Sequence, residues 1–469
     1  MKKYIILTLF LFTLVCTGCK KWFDVTPSTE MKGSVLFSNQ AGFRDALTGV
    51  YALMTQTNSY GTELTMGYVD VLAQTYDYVR TAFGHSYQNA ANYNYTEAGE
   101  QARLLRIWRQ QYKAIVNCNI IIQQADEKKA MFSGKNYNII KGEALALRAF
   151  LHFDLLRLFG EPTVAGLGKK AIPYANAYTN VAFQQSTGTE VINQVINDLT
   201  SARELLLDAD PYGPQRIDSS LSILTMGDRK VRMNYYAATA VMARAYLYSG
   251  DKVNALKMAK EVIDSKLFPL FSNVSGQTEK KNYIFPTEQV FSLTIPDLKT
   301  RYADRLFPEV VYSGSTTSLT IRNSTLNCIF PAGINTDYRL NWFETATSAA
   351  MRISKYSYNT IIPLIKISEM YLIAAEAESS PSVAVKTYIN PLRAHRGISE
   401  LDANSANQSL VGTEVRLEYR REFIGEGQLF YYYKRLNVQK FPTLSTFANS
   451  DMVYKLPIPN TEIEFGNID

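Results

Sequence analysis

Seven tyrosines stand between positions 60 and 95 (Tyr60, Tyr68, Tyr76, Tyr78, Tyr87, Tyr93 and Tyr95), with Asp70, Asp77, Arg80 and Asn89 among them. Aromatic faces beside carboxylate, amide and guanidinium groups suit a sugar. Its apolar C–H face stacks on a ring, and its hydroxyl edge is fixed by Asp, Asn and Arg. A second group lies far along the chain: Tyr302, Tyr312, Phe330, Tyr338 and Trp342, with Asn323, Asn327, Asn335 and Asn341. Neither group holds enough platforms and polar groups alone, so a bound glycan is expected to lie across both. The expected ligand-binding residues are Asp70, Tyr76, Asp77, Tyr78, Arg80 and Tyr93 from the first group, with Tyr302 and Trp342 from the second. The competing reading is that these rings pack loops onto a scaffold, with hydroxyls at the surface.

Signatures of other chemistry are missing. The chain has no Gly-x-x-x-x-Gly-Lys-Ser/Thr loop, no His-Glu-x-x-His and no Cys-x-x-Cys. Gly425-Glu426-Gly427 and Gly166-Leu167-Gly168 lack the third glycine of a dinucleotide fingerprint. The three histidines, His85, His152 and His395, are far apart, so neither a metal site nor a cofactor is expected. A glycosidase needs two carboxylates across a cleft. Asp70, Asp77 and Glu344 are candidates, but with 43 acidic residues such pairs arise freely, and no catalytic residue is assigned. The formal net charge is +6, or +4 once Lys2 and Lys3 leave with a leader, too small and scattered for nucleic acid.

The elements that must hold these residues are mostly helical. Apolar residues at helical spacing predict helices over 39–54, 101–125, 137–159, 189–207, 232–249, 252–264, 365–379, 382–396 and 413–424. The helix over 137–159 is apolar nearly all round and should lie between neighbours. Its Glu143, Arg148, Asp154 and Arg157 then read as ion pairs between packed helices, with Arg420, Arg421 and Glu426 alike, and His152 as a hydrogen-bonded core residue. Residues 240–263 have a helix, a turn at Gly250 and a second helix, with Ala243, Ala255 and Ala259 where the two approach. That layout is tetratricopeptide-like, and 143–150 and 369–376 echo its first helix. Two long stretches, 61–100 and 267–363, lack helical period, with one strand candidate at 290–295. Loops of this length are usually functional. The fold class expected is mainly α, a tetratricopeptide-like helical repeat scaffold with long irregular loop insertions and a few short strands.

The N-terminus reads as a leader. Lys2 and Lys3 precede an apolar run from Tyr4 to Val15, too short to span a bilayer, and Val15-Cys16-Thr17-Gly18-Cys19 ends it with small residues before a cysteine. This is similar to a bacterial lipobox, with cleavage before Cys19 and lipid attached there; the plainer alternative is an ordinary signal peptide with an incidental cysteine. Several acyl chains on one residue would anchor the protein stably. Cys118 and Cys328 remain, as one disulfide or as two buried thiols, the latter favoured.

Taken in order, these pieces resemble the SusD/RagB family, lipoproteins of the Bacteroidetes outer membrane that capture nutrients for a TonB-dependent transporter. The resemblance rests on the lipobox followed by FDVTP (23–27), FRDALTGVY (43–51), KGEALALRAFLHFDLLRLFGEP (141–162) and the repeat unit ending at Ile263. It continues in IKISEMYLIAAEA (365–377), NPLRAHRG (390–397), RREFIGEG (420–427) and LPIP (456–459). The chain departs from the family after Gly427, where QLFYYYKR (428–435) replaces an Asp-Leu-Arg-Arg-like run, and at Lys20 and Lys21, where an acidic pair is frequent. The resemblance implies a signal peptide over 1–18, an anchor linker over 19–34, a SusD-like N-terminal half over 35–227 and a SusD/RagB C-terminal half over 228–469. It further implies a surface-exposed, lipid-anchored outer-membrane protein that binds an oligosaccharide or polysaccharide and delivers it to a SusC-like TonB-dependent transporter, without catalysis. The alternatives are a lipid-anchored glycan hydrolase and a helical-repeat interaction scaffold with no ligand of its own.

Overall fold

Helices start where a side chain can take the first free backbone N–H groups. Asn39 accepts from Gly42 N ahead of α1 (Gln40–Met54). Glu97 accepts from Gly99 and Glu100 ahead of α2 (Ala98–Glu127). Gly160 closes α3 (Asn136–Phe159). Thr187 and Glu190 form a reciprocal capping box at α4 (Gly188–Leu206). Asn234 caps α5 (Tyr235–Ser249) and Asp251 caps α6 (Lys252–Asp264). Between these two, Gly250 adopts a φ of +86°, a left-handed turn that a side chain would strain. α7 covers Ile367–Ala377, and a further helical run over 381–395 is π-wound at Ala384–Ile389. α8 (Gln408–Glu422), α9 (Leu429–Arg435) and α10 (Asn460–Phe465) complete the longer elements. The computed structural model describes residues 33–77, 79–215, 228–272, 279–302, 317–441 and 450–466. Cys19 with the leader and most of the linker, Tyr78, Tyr312 and the expected boundary at 227 lie outside them.

From α1 to α8 each helix packs on its successor, the arrangement of a helical repeat protein. α3 is buried on every side between α2 and α4, as its all-round apolar sequence requires. Ala243, Ala255 and Ala259 are fully buried where α5 meets α6. The expected ion pairs between helices form only in part: Asp154 and Arg157 pair within α3, Arg421 and Glu418 within α8, and Arg420 donates to the Tyr433 hydroxyl. Arg148 grips Asp198 with two bonds of 2.7 Å, and Glu143 pairs with Arg229. His152 is buried, its Nδ1 donating to Arg148 O and its Nε2 accepting from Ala175 N, so the ring is neutral. Burial pushes its pKa down to about 3.

The two irregular stretches contain more order than their sequence shows. β1 (Lys170–Pro173) pairs with β2 (Gln185–Thr187) outside them. Within the second, β3 (Gln289–Thr294) lies where the strand was expected and pairs with β7 (Ile361–Lys366). β4 (Thr320–Arg322), β6 (Ala350–Ile353) and β5 (Phe343–Thr347) form a three-stranded antiparallel sheet in that order. β7 corrects the expected helix start at 365: its apolar run is a buried strand feeding straight into α7. Among the described residues both later cysteines are free thiols, and Cys328 is exposed, which corrects the expectation that it is buried.

A buried ionic knot ties the second stretch to α8. Arg339 donates to Asp337 at 2.7 Å, Glu418 at 2.7 Å and Glu422 at 2.8 Å. Arg396 bridges Glu288 and Glu422, while Lys366 reaches Glu422 and Glu426. Lys355 also pairs with Glu426. Each charge has several partners, which is the condition for charges to persist in an interior.

Candidate functional site

The tyrosine cluster of the first stretch faces inward. Tyr60 donates to Asp154 at 2.8 Å, Tyr87 to Glu63 at 3.1 Å, Tyr93 to Leu72 O at 3.1 Å and Tyr95 to Val453 O at 2.8 Å. Tyr68 and Tyr76 are buried too, with hydroxyls that make no hydrogen bond among the described residues. Tyr302, from the second stretch, is buried and donates to Gly61 O, with Thr62 Oγ1 at 2.7 Å. Trp342 is 0% exposed, its ring 5.4 Å from that of Phe285 and 4.0 Å from Lys355 Nζ. Their hydroxyls are inside, not at the surface. The rings fill the space between the loops and the helices, and none of them offers a free face in this conformation.

Asp70 lies in the short helix Tyr68–Leu72 and accepts from Gly425 N at 2.6 Å and Gly427 N at 3.0 Å. It fastens the first stretch to the Gly-Glu-Gly turn beyond α8. Burial pushes its pKa up to about 8, although both N–H bonds oppose the rise. Gly427 has a φ of +72°, and a Cβ there would meet Leu64 O at 2.4 Å. Only glycine fits that approach. Glu344, the third carboxylate considered for hydrolysis, is held between Lys280 at 2.9 Å and Arg352 at 3.1 Å. Asp70, Asp77 and Glu344 are thus each bound to protein groups. Among the described residues, no group of three or more His, Cys, Asp or Glu side chains is placed to hold a metal.

The two stretches meet at Tyr302 and again, nearer the surface, at Asp77. Its Oδ1 accepts from Arg322 N at 2.9 Å and its Oδ2 from Thr325 Oγ1 at 2.7 Å. Beside this joint, Arg322 Nη2 donates to Thr81 Oγ1 at 3.0 Å. The turn that follows is held from both sides: Asn92 Nδ2 donates to Arg80 O at 3.2 Å, and His85 Nε2 donates to Ser318 O at 3.1 Å. From it projects Phe83, 95% exposed, the largest exposure of any bulky apolar side chain described. Gly84, with a φ of +72°, turns the chain back behind it. An exposed ring costs hydration unless something covers it, and here it stands on a clamped backbone two residues after Thr81, to which the exposed Arg322 donates. The arrangement pairs a stacking face with a guanidinium fork. Of the expected residues the structure brings Asp77 and Arg80 to this place and sends Asp70, Tyr76, Tyr93, Tyr302 and Trp342 to the interior. Sequence reasoning passed over Phe83, although it is the sole phenylalanine in 61–100 and precedes a glycine.

Comparison with known proteins agrees with the scaffold. A family profile described as SusD-like, "Starch-binding associating with outer membrane", matches residues 21–247, and the SusD family profile matches 272–464. The chain belongs to the SusD/RagB family. A relative, SusD-like protein P2 of Formosa agariphila, is 25% identical over an alignment spanning 99% of this chain and 97% of its own. A SusD superfamily protein from Bacteroides thetaiotaomicron shares the fold with a TM-score of 0.69 at 22% identity, covering 92% of this chain and 99% of that one. A SusD-like carbohydrate binding protein from Bacteroides vulgatus also has a TM-score of 0.69, at 19% identity, with coverage of 92% and 97%. The mainly helical, tetratricopeptide-like class expected for a SusD/RagB protein is therefore the observed one. Among the described residues no helix is long and apolar enough to cross a membrane.

Proposed function

We propose that this SusD/RagB protein is anchored to the outer membrane through lipid on Cys19, faces outward, and binds an oligosaccharide or polysaccharide for delivery to a SusC-like TonB-dependent transporter. The observation that carries the reading is the Phe83 ring, held in solvent on a clamped turn where the two irregular stretches join. Phe83 stacks on a sugar face, while Arg322, Arg80 and Thr81 supply donors to the hydroxyl edge. Asp77 positions Arg322 and takes no part in chemistry. The protein binds and releases its ligand unchanged, a reading supported by the family and by the engagement of Asp70, Asp77 and Glu344 with protein groups.

Calorimetry against a panel of soluble glycans tests this. At least one glycan should bind the parent and be weakened by Phe83→Ala, with no new reducing ends after prolonged incubation. Turnover abolished by a single Asp or Glu change would establish the hydrolase instead, and absence of binding across the panel would favour the scaffold. For the anchor, Cys19→Ala should leave the membrane fraction and lose its acyl mass.

A further inference from the structure

A groove of ≈ 360 Å³ lies away from the loop junction, between α2, the segment that links β1 to β2, and α10. Its size falls at the lower end of small-molecule sites and well below what a protein segment needs. Aromatic rings shape the walls: half-buried Tyr112 from α2 faces the groove with Phe183 opposite, and Trp108, 2% exposed, packs behind Tyr112 with centroids 4.9 Å apart. Val181, 70% exposed, stands at the rim.

The wall at residues 173–177 is fixed in advance. Tyr112 donates to Pro173 O at 2.7 Å, and buried Asn119 donates to Ala175 O at 2.9 Å and Ala177 O at 3.1 Å. Arg148 holds Asn176 O at 2.9 Å, and Ala175 N is bonded to His152. A ligand entering such a groove orders little that is not already ordered. Charge supplies the second half of the argument. Arg109 and Lys113 line the groove one helical turn apart, both exposed, and among the described residues neither makes an ion pair or a side-chain hydrogen bond. Glu462 lines it from α10 and is likewise unpaired among the described residues. The rim carries a net charge of about +1 over an aromatic floor, which one carboxylate neutralises.

We propose that this groove is a second ligand site, separate from the Phe83 platform, and that it takes a small aryl monocarboxylate. The ring lies between Tyr112 and Phe183, and the carboxylate accepts hydrogen bonds from Arg109 and Lys113.

The probes are 2-naphthoate and its neutral counterpart 2-naphthamide, titrated into the purified protein by calorimetry. Naphthoate should bind saturably and the amide about 10-fold more weakly or worse, the scale of a lost charge-assisted hydrogen bond. Arg109→Gln combined with Lys113→Gln should reduce naphthoate to the level of the amide at unchanged melting temperature, since both side chains stand in solvent. Phe83→Ala should leave naphthoate binding as it was. Equal binding of acid and amide, an unaffected double variant, loss of naphthoate binding in Phe83→Ala, or no saturation by naphthoate would each overturn the assignment.

Discussion

Phe83 and Trp342 should respond to truncation in opposite ways. A phenylalanine buries about 150–250 Å² in full contact, so a sugar stacked on one face covers roughly 80 Å² of it. At about 25 cal/mol/Å² that is about 2 kcal/mol, or roughly 30-fold in affinity. Because Phe83 is 95% exposed, Phe83→Ala forfeits no packing and should leave the melting temperature within about a degree. Trp342 is fully buried against Phe285 and Lys355, and truncation there costs about 3–5 kcal/mol through lost burial and a cavity. Unfolding entropy of about 2.1 cal/mol/K per residue over 469 residues converts this to roughly 3–5 °C. Ligand affinity of the folded Trp342→Ala protein should stay close to the parent's. Calorimetric titration with a bound glycan, paired with a thermal scan of each variant, reads both quantities. If Trp342→Ala loses affinity at constant melting temperature while Phe83→Ala loses neither, the platform is misplaced and the interior ring meets the ligand after all.

Breaking the ionic knot by Arg396→Met leaves buried Glu288 without its cation, while Glu422 keeps Arg339 and Lys366, and should destabilise the protein by about 3–5 kcal/mol, read as a lower denaturant midpoint. Asp70 has a folded pKa of about 8, above its usual value, so the folded state holds the proton more tightly than the unfolded chain. Its contribution to stability is therefore fully present at low pH and declines as pH rises from about 4 to about 8. Asp70→Asn should flatten that part of the stability–pH curve; an unchanged slope would show that other groups set it. Alkylation under native conditions should label Cys328 and spare Cys118, which is buried and whose thiol burial pushes up to about 12. Gly427→Ala should loosen the Asp70 clamp and lower the melting temperature in a thermal scan, because the added Cβ would meet the Leu64 backbone oxygen.

What the sequence determined by itself is what depends on local spacing. Apolar periodicity and caps such as Asn39 and Asp251 set the helices, and the small residues around Gly250 set the repeat turn, because hydrogen bonds and side-chain faces within a helix are decided by neighbours three and four positions away. The strands were harder to read: β4, β5 and β6 are short, and each pairs only with partners 28 to 32 residues distant or across a turn. Composition was enough to mark 61–100 and 267–363 as the places of interest, yet it could not say which aromatic faced outward. Tyr76 and Phe83 are seven residues apart in the same kind of loop, and one is buried while the other stands in water. Tertiary structure alone decided that, through contacts as remote as Asp77 with Arg322 and Asp70 with Gly425, which turn the loop over and fix which rings the scaffold covers.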